Sequence, residues 1–413
     1  MQAHVIAVAA LALVFLIATV RPVNMGLLAF AAAFAIGAGL MGASPKEVLS
    51  SFPGDLFVTL VGVTFLFAVA ERNGAVAWLV AGLSRLVGNR AVMMPWVVFV
   101  AGAILTGFGA LGPAAVAIVA PVALRFATQH HISRLMMGLM VIHGAQAGGF
   151  SPTSVYGGIT NGVIAKAGLA ADPLYLFLAS LSFNALLAVA VFLALGGLKL
   201  RGKVQTAEPQ ATLDENAEFG RERVLTLAVL AGVGIATLGF NADIGVVSMG
   251  AAAFLTVAAP RSQKGAVDKV SWSTVLLIAG VVTYVGLLQR MGTVTAAGEL
   301  IAGIGAPLLG ALLLCYLGGV VSAFASSTAL LGIIVPLALP FLQNSDLSAM
   351  GTIAAIAIST TIVDTSPFST NGALVVANAP EEGRDRLFRQ LLGYSALITL
   401  AGPLLAWAVF ILV

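Results

Sequence analysis

Apolar runs of about 15 to 25 residues recur from one end of this chain to the other, and they limit its fold more than any other feature. Roughly 20 apolar residues form a helix that crosses the hydrocarbon core of a bilayer. Because lipid offers no hydrogen-bond partners, a spanning segment must satisfy its backbone internally, as a helix does. The chain of 413 residues is 60% hydrophobic and 9% charged, with a mean hydropathy of +1.05. These values predict an all-α polytopic membrane protein, exclude a soluble domain and give no support for a nucleic-acid partner or a cofactor.

One segment breaks this pattern. Residues 199–223 read "KLRGKVQTAEPQATLDENAEFGRER", which is rich in charge and has no apolar periodicity. Such a composition is typical of a solvated linker. It divides the chain into residues 1–198 and residues 224–413.

The two parts share landmarks in the same order. "GFSPTSVYGG" at 149–158 is echoed by "DTSPFSTNGA" at 364–373, an offset of 215 residues. The run "GFGALGPAAVAIVAP" ending at Pro121 is echoed at the same offset by "AFASSTALLGIIVP" ending at Pro336. Upstream, "ERNG" at 71–74 matches "QRMG" at 289–292, an offset of 218. Three landmarks in one order indicate an internal duplication.

Each repeat is predicted to contain five net membrane crossings. The stretch 91–126 is too long for one span and is interrupted by "TGFGALGP", so it forms either a re-entrant hairpin or two full spans. As one helix, 134–168 would be about 50 Å long against a core of roughly 30 Å, which favours a helix broken near its middle. The predicted segments of repeat 1 are scaffold helices within 1–70, an arm at 74–88, the hairpin at 91–126, the broken helix at 134–168 and a helix at 173–198. Those of repeat 2 are scaffold helices within 224–289, an arm at 292–304, a hairpin at 306–341, a broken helix at 347–381 and a helix at 389–412.

An odd number of crossings inverts the second repeat relative to the first, and the basic residues agree with this. With Arg21 placed inside, all 20 lysines and arginines fall inside except Lys46, Lys166 and Arg290. Basic loops face the cytoplasm. The expected location is therefore the bacterial inner (plasma) membrane, with both termini outside and the linker 199–223 in the cytoplasm.

The Ser-Pro pairs explain the breaks. Serine is a good helix N-cap and proline is favoured in the first turn, so Ser151-Pro152 and Ser366-Pro367 can each start a new half-helix. Irregular backbone at membrane depth is tolerated only where it is buried in protein or lines a cavity. Inverted repeats with interrupted helices are typical of secondary transporters, whose sites lie between the repeats. Free amides and helix N-termini attract anions, and free carbonyls bind cations.

The residues at the breaks resemble those of a known family. "SAFASSTALLGIIVPL" is similar to the Ser-Asn-Thr hairpin motif of the divalent anion/sodium symporters of the ion transporter superfamily, with Ser326-Ser327-Thr328 at the motif. "DTSPFSTNG" and "GGFSPTSVYGG" resemble that family's second, unwound motif. The N-terminal part is most similar to the malonate/dicarboxylate carrier branch. In the first hairpin the corresponding residues are Leu111-Gly112-Pro113, which lack hydroxyl and amide side chains, so a cation there would be held by backbone carbonyls.

This resemblance implies a homodimer that imports a small dicarboxylate with sodium by an elevator mechanism. The arms at 74–88 and 292–304 would connect scaffold and transport domains; without the resemblance they would be only amphipathic surface helices. The implied substrate-binding residues are Gly112, Pro113, Ser151, Pro152, Thr153, Ser154, Ser327, Thr328, Ser366, Pro367, Ser369 and Asn371. The implied sodium-binding residues are Leu111, Gly112, Gly149, Phe150, Ser326, Ser327, Asp364 and Thr365.

Several alternatives remain at this level. Asp364 is predicted to cap the half-helix, to bind sodium or to carry a proton, and the last role would fit a sodium/proton antiporter or a proton-coupled anion transporter. His143 and Gln146 share one helix face before the first break, where they serve either function or packing. A channel and an intramembrane protease are less well supported, because the chain has a fused repeat, a single membrane aspartate near the breaks and no HExxH motif. The chain is therefore predicted not to be an enzyme.

Overall fold

The computed structural model describes residues 2–21, 23–76, 78–79, 82, 90–166, 169–200, 220–240, 242–293, 296, 306–323, 327–343 and 345–412. The regular elements in these residues are helices, which confirms the prediction of an all-helical chain. Among the described residues, six helical segments are long and apolar enough to cross a membrane, and further apolar helices are shorter. Most of the predicted linker, most of both predicted arms, and Ser326 lie outside the described residues.

The first part of the chain contains nine of the described α-helices. They are α1 (Gln2–Val20), α2 (Met25–Met41), α3 (Pro45–Leu49), α4 (Gly54–Arg72), α5 (Met94–Gly107), α6 (Gly112–Gln129), α7 (Arg134–Gly148), α8 (Val155–Lys166) and α9 (Pro173–Ala194). We call α5 and α6 the first helix pair. The interruption between α7 and α8, at 149–154, is the first break.

The second part contains the other nine described α-helices. They are α10 (Gly220–Phe240), α11 (Ile244–Ala258), α12 (Pro260–Gln263), α13 (Trp272–Arg290), α14 (Pro307–Ser322), α15 (Ser327–Gln343), α16 (Ala349–Ile362), α17 (Thr370–Ala377) and α18 (Arg384–Ile411). We call α14 and α15 the second helix pair. The second break, at 363–369, begins with a 3₁₀ turn at Val363–Thr365.

The last helix starts earlier than the sequence predicts. It begins at Arg384 rather than at 389, directly after Gly383 with a φ of 99°. Charged residues can form a helix outside the bilayer as well as apolar residues do inside it. Hydropathy therefore locates the apolar run but not the charged turn of helix that precedes it.

The ends of α4 and α13 have the same geometry in both repeats. Each is followed by a glycine in the left-handed region, Gly74 with a φ of 74° and Gly292 with a φ of 73°. A left-handed glycine after the last helical residue satisfies terminal carbonyls and stops the helix. The sequence landmarks "ERNG" and "QRMG" thus mark one type of helix end.

The packing between the two parts is reciprocal. α6 packs against α17, and α15 packs against α8, so the second helix of each pair contacts the helix that follows the break of the other repeat. α4 packs against α11, and α13 packs against α2 in the same crossed manner. Equivalent contacts within each repeat join α5 to α7 and α14 to α16.

Small residues allow the closest of these contacts. A Cβ added at Gly144 of α7 would lie 2.2 Å from the carbonyl oxygen of Phe99 on α5, and one at Gly148 would lie 2.0 Å from that of Ala103. Small residues bring membrane helices into backbone contact, which gives van der Waals packing where no hydrophobic effect operates between helices. The helix that leads into the first break is therefore held rigidly against the first helix pair.

Candidate functional site

The two breaks share a hydrogen-bonding pattern at equivalent positions. The Ser154 hydroxyl donates to the carbonyls of Gly149 and Ser151, at 2.5 and 2.6 Å. The Ser369 hydroxyl bonds to the carbonyls of Asp364 and Ser366, both at 2.7 Å. These serines compensate carbonyls that the interrupted helices leave without partners. Their only hydroxyl hydrogen is committed to the backbone, so neither donates to a ligand in this arrangement.

The remaining hydroxyls of the first break are tied to the first helix pair. The Ser151 hydroxyl donates to the carbonyl of Gly107 at 2.9 Å, and the Thr153 hydroxyl donates to the same carbonyl. The two hydroxyls are also 3.0 Å apart. Both side chains are buried. In the first repeat, therefore, the predicted substrate-binding hydroxyls stabilise the last turn of α5.

The second break keeps polar groups without protein partners. The side-chain oxygens Thr365 Oγ1 and Asn371 Oδ1 are buried and have no hydrogen-bond partner among the described residues. Buried polar atoms are nearly always paired, because each unpaired one costs about 1–3 kcal/mol. Two such atoms within seven residues indicate a place where a ligand or ion completes the bonding.

Asp364 lies beside these atoms and is only 6% exposed. The Ser327 side chain, at the start of α15, lies near its carboxylate. The Ser327 hydroxyl also lies 2.7 Å from that of Ser322 and 3.2 Å from the carbonyl of Thr360. A buried carboxylate in a membrane protein is costly and is by default a functional residue. The second break thus combines an acid with unpaired oxygens, whereas Gly149 stands at the equivalent position of the first.

The helix pairs bring their first turns to the breaks of the opposite repeat. A Cβ added at Gly112, the first residue of α6, would lie 3.4 Å from Asn371 Nδ2 and 3.7 Å from the Tyr156 hydroxyl. The Thr328 side chain of α15 lies near the Tyr156 hydroxyl. Residues from both repeats therefore meet at one place.

The structure distributes the predicted site residues unevenly. Gly112, Ser327, Thr328, Asp364 and Asn371 converge at the meeting point of the helix pairs and the breaks. Phe150 is fully buried, and its ring packs against that of Tyr156 with centroids 5.7 Å apart, so its side chain serves packing. The other predicted residues line the breaks or the start of α6: Leu111, Pro113, Gly149, Ser151, Pro152, Thr153, Ser154, Thr365, Ser366, Pro367 and Ser369.

Tyr156 is absent from the predicted site residues although it lies at their centre. Its repeat mate is Asn371, so the 215-residue offset was a signal that could have identified it. A tyrosine aligned with an asparagine attracts little attention in sequence, because only the fold places both side chains at one glycine.

A second buried polar cluster crosses the repeats. His143 Nδ1 lies 3.0 Å from Asn184 Oδ1, and His143 Nε2 lies 2.6 Å from the Tyr394 hydroxyl. Because Asn184 Nδ2 donates to the carbonyl of Ser180, its Oδ1 accepts from His143 Nδ1–H. Nε2 pairs with the Tyr394 hydroxyl, so both ring nitrogens have partners in the protein. This geometry favours the packing role for His143.

Gln146 continues this cluster to the second repeat. Its Nε2 donates to the carbonyl of Thr361 at 2.8 Å, and the two residues are repeat mates, 215 positions apart. Two equivalent positions touch only where the related units meet. Gln146 lies three residues before Gly149, and Thr361 lies three residues before Asp364. This contact therefore holds the two breaks in a fixed position relative to each other.

Nothing in the described part of the chain gathers three or more His, Cys, Asp or Glu side chains as a transition-metal site would. The available ligands are one carboxylate, hydroxyls and backbone carbonyls. Unwound carbonyls and helix C-termini coordinate Na⁺ or protons in secondary transporters.

Residues 1–149 match the family model described as "Dicarboxylate carrier protein MatC N-terminus". This stretch of the chain is therefore similar to dicarboxylate carriers of the MatC family. The match confirms the resemblance of the N-terminal part to the malonate/dicarboxylate carrier branch. Both comparisons are with transport proteins and not with enzymes, in line with the prediction from the sequence. No curated protein sequence matches the chain.

The fold is also found in a solved transporter. The chain is similar to the crystal structure of the YdaH transporter of Alcanivorax borkumensis, which is described as revealing an unusual topology. The TM-score is 0.60 at 17% sequence identity, over 87% of this chain and 86% of that one. This likeness shows that most of the chain shares the fold of that transporter.

Proposed function

We propose that this protein imports a small dicarboxylate, malonate or a C4-dicarboxylate, together with sodium across the bacterial inner membrane. The observation that carries the proposal is the second break, where buried Asp364 lies with the unpaired oxygens of Thr365 and Asn371. The MatC match of residues 1–149 supports a dicarboxylate as substrate.

Sodium follows from the charges at the site. Neither break contains a lysine or arginine, so a dianion there would meet Asp364 without a compensating charge. A sodium ion between the carboxylate and the substrate removes this conflict. The proposed ligands around it are Asp364, Ser327 and Thr365, with Ser326 outside the described residues. A second sodium would use the backbone carbonyls of Leu111, Gly112, Gly149 and Phe150.

The reciprocal packing supports an architecture of two inverted repeats, and the family resemblance implies that such an architecture transports by an elevator mechanism. The second helix of each pair contacts the helix that follows the break of the other repeat, and Gln146 contacts Thr361, its equivalent at the 215-residue offset. In the proposed elevator, α5–α9 and α14–α18 form the moving unit of each subunit of a homodimer. The helices α1, α2, α4, α10, α11 and α13 form the scaffold.

Contacts between loops agree with the proposed sidedness. Lys269 pairs with Glu71 at 3.4 Å, and Arg134 donates to the carbonyl of Glu382, all on the side assigned to the cytoplasm. Arg290 donates to the carbonyl of Glu47, and both are assigned to the outside. Each of these contacts joins residues that the basic-residue pattern placed on one side of the membrane.

Uptake and counterflow of radiolabelled malonate and succinate in proteoliposomes test this function. With an inward sodium gradient, we expect accumulation above the level reached without sodium. Counterflow of neither acid would refute dicarboxylate transport. Proton movement driven by sodium in the absence of any dicarboxylate would instead support the antiporter alternative, in which Asp364 carries the proton.

A further inference from the structure

The end of α4 is hydrogen-bonded to the start of α10. Asn73, the residue after α4, is 2% exposed, and its side-chain amide donates to the Thr226 hydroxyl of α10 at 2.8 Å. The Arg223 side chain donates to the Asn73 carbonyl at 3.3 Å. Asn73 Oδ1 accepts from the backbone N–H of Ala75 at 3.0 Å, so Asn73 also holds the chain just beyond α4. We call the contact of Asn73 with Thr226 the first clamp.

The end of α13 is likewise bonded to the start of α1. Thr293, which is 3% exposed, has its hydroxyl 2.8 Å from His4 Nδ1. One turn further along α1, the carbonyl of Ala7 accepts from the Tyr284 hydroxyl of α13 at 2.7 Å. The first turns of α1 are therefore held against the last turns of α13. We call the contact of His4 with Thr293 the second clamp.

The two clamps lie at equivalent places in the repeats. At the 218-residue offset that relates "ERNG" to "QRMG", Ala75 corresponds to Thr293, and each follows a left-handed glycine. At the same offset Glu222 corresponds to His4, and each is the third residue of its helix. The Glu222 carbonyl lies 3.5 Å from Asn73 Nδ2, so the first turn of α10 meets the end of α4 as the first turn of α1 meets the end of α13. The side chains differ between the repeats, and the contact is the same.

Both sides of each clamp belong to the proposed scaffold. The first clamp joins α4 to α10, and the second joins α13 to α1. Asn73, Thr226 and Thr293 are all buried, so opening a clamp would leave polar groups without partners, which costs free energy. A contact within one rigid body avoids this cost by staying closed, whereas a contact across a moving interface breaks in every transport cycle.

We propose that the two clamps are the fixed ends of the scaffold, so that Ala75 and Thr293 stay in place during transport and movement begins beyond them. This inference rests on the proposed elevator and adds the residues that position its moving unit. The first clamp lies on the side assigned to the cytoplasm, where α4 ends. The second lies on the side assigned to the outside, where α13 ends, so the moving unit is anchored at both faces of the membrane.

Cross-linking distinguishes a fixed contact from a moving one. In a Cys315→Ala background, the pairs Asn73→Cys/Thr226→Cys and His4→Cys/Thr293→Cys are bridged by oxidation or by a short bis-methanethiosulfonate reagent. Malonate and succinate uptake in proteoliposomes is then measured before and after reduction. We expect each cross-linked protein to retain the uptake of its reduced form, because the bridge replaces a contact that stays closed. Uptake that stops on cross-linking and returns on reduction would overturn the inference.

The matched control joins the scaffold to the moving unit. Thr59 Cγ2 of α4 lies 3.3 Å from a Cβ built at Gly158 of α8, so the pair Thr59→Cys/Gly158→Cys is close enough to cross-link. This bridge should stop uptake reversibly. Unaffected uptake in the bridged control would remove the elevator and this inference, while dicarboxylate transport itself would stand. Absence of malonate and succinate uptake by the original protein would instead remove the proposed function.

Deleting one hydroxyl of the first clamp gives a second measurement. Thr226→Ala should lower the maximal rate of uptake by roughly 3- to 18-fold, the rate equivalent of a hydrogen bond between membrane helices, and leave KM unchanged. Thr226→Ser keeps the hydroxyl and should restore the rate. Ser248→Ala is the control, since its buried hydroxyl has no hydrogen-bond partner among the described residues, and it should retain the original rate. A raised KM at an unchanged rate in folded Thr226→Ala would contradict the positioning role.

Discussion

At the scale of single residues, the two breaks share a framework and differ in chemistry. Ser154 and Ser369 make the same pair of hydrogen bonds to backbone carbonyls. Asp364 stands where the first break has Gly149, and it brings a carboxylate to only one of the two half-sites. The repeat therefore supplies the geometry of both breaks, and substitutions within it supply the binding groups of one.

We expect Asp364→Asn to lower the apparent sodium affinity of uptake or to abolish sodium-driven uptake. The amide removes the charge that a bound sodium neutralises but keeps the shape of the side chain. Relief of the cost of a buried carboxylate, about 2.5–3.5 kcal/mol at mid-membrane, should keep the variant folded. Uptake rate against sodium concentration in proteoliposomes measures the effect.

Asp346→Asn is the matched control, since Asp346 is exposed in a loop. If uptake by Asp364→Asn depends on sodium as the original protein does, Asp364 does not bind sodium and serves only as a helix cap. Transport that survives and loses its dependence on pH would assign the proton role to Asp364.

At the scale of elements, glycine contacts and one polar cluster hold the helices around the breaks. α5 and α7 touch through Gly144 and Gly148, and α2 and α13 touch through Gly26 and Gly280. His143, Asn184 and Tyr394 tie α7, α9 and α18 together. The glycine contacts set the distances between the helices, and the hydrogen bonds of the His143 cluster fix how each helix is rotated about its own axis.

Gly144→Ala should destabilise the protein by about 1–3 kcal/mol, because its Cβ would lie 2.2 Å from the Phe99 carbonyl oxygen and the helices would have to separate. Gly250→Ala is the control, since nothing lies within 4 Å of a Cβ there and alanine favours a helix. Thermal unfolding in detergent measures both. Equal unfolding temperatures for Gly144→Ala and the original protein would argue against this close contact.

The histidine cluster gives a second prediction at this scale. Asn184→Ala and Tyr394→Phe should each destabilise the fold by roughly 0.6–1.7 kcal/mol, the range for hydrogen bonds between membrane helices. The double variant should cost less than the sum, because both bonds end on His143. Thermal unfolding measures these costs, and the pH dependence of uptake should stay unchanged. A shifted pH profile in either variant would mean that His143 takes part in proton coupling.

At the scale of the whole molecule, crossed packing of the two repeats creates the candidate site. Neither repeat contains it alone, because α6 requires α17 and α15 requires α8. The loop contacts agree with a single sidedness for the basic residues. The candidate site and the proposed sidedness are thus both consistent with the same crossed packing of the two parts of the chain.

Cysteine labelling in whole cells tests the sidedness. The single native cysteine, Cys315, is fully buried, so the background should be low. We expect Ala211→Cys in the linker to be protected from an impermeant thiol reagent and Asp346→Cys to be labelled. Lysed cells should label both, which controls for reactivity. Labelling of Ala211→Cys but not of Asp346→Cys in intact cells would reverse the proposed topology.

Much of the fold follows from local physics that sequence expresses directly. Apolar run length predicts helices in a bilayer, glycine and proline predict where they stop, and the 215-residue offset pairs Ser151 with Ser366. Helix ends were less predictable, as the start of α18 at Arg384 illustrates. Charged residues extend a helix into water, and they do not raise the hydropathy from which the helix was predicted.

The sequence by itself determined that the chain is an all-helical membrane protein, and it predicts the duplication and the chemistry at the breaks, since these depend on composition, spacing and offset. Only the tertiary structure decided which of the polar groups are spent on the backbone and which remain for a ligand. Ser151, Ser154 and Ser369 belong to the first kind, and Thr365 with Asn371 to the second. The physical reason is that hydrogen-bond satisfaction depends on three-dimensional neighbours. The residues that meet at Gly112 come from three separate segments of the chain.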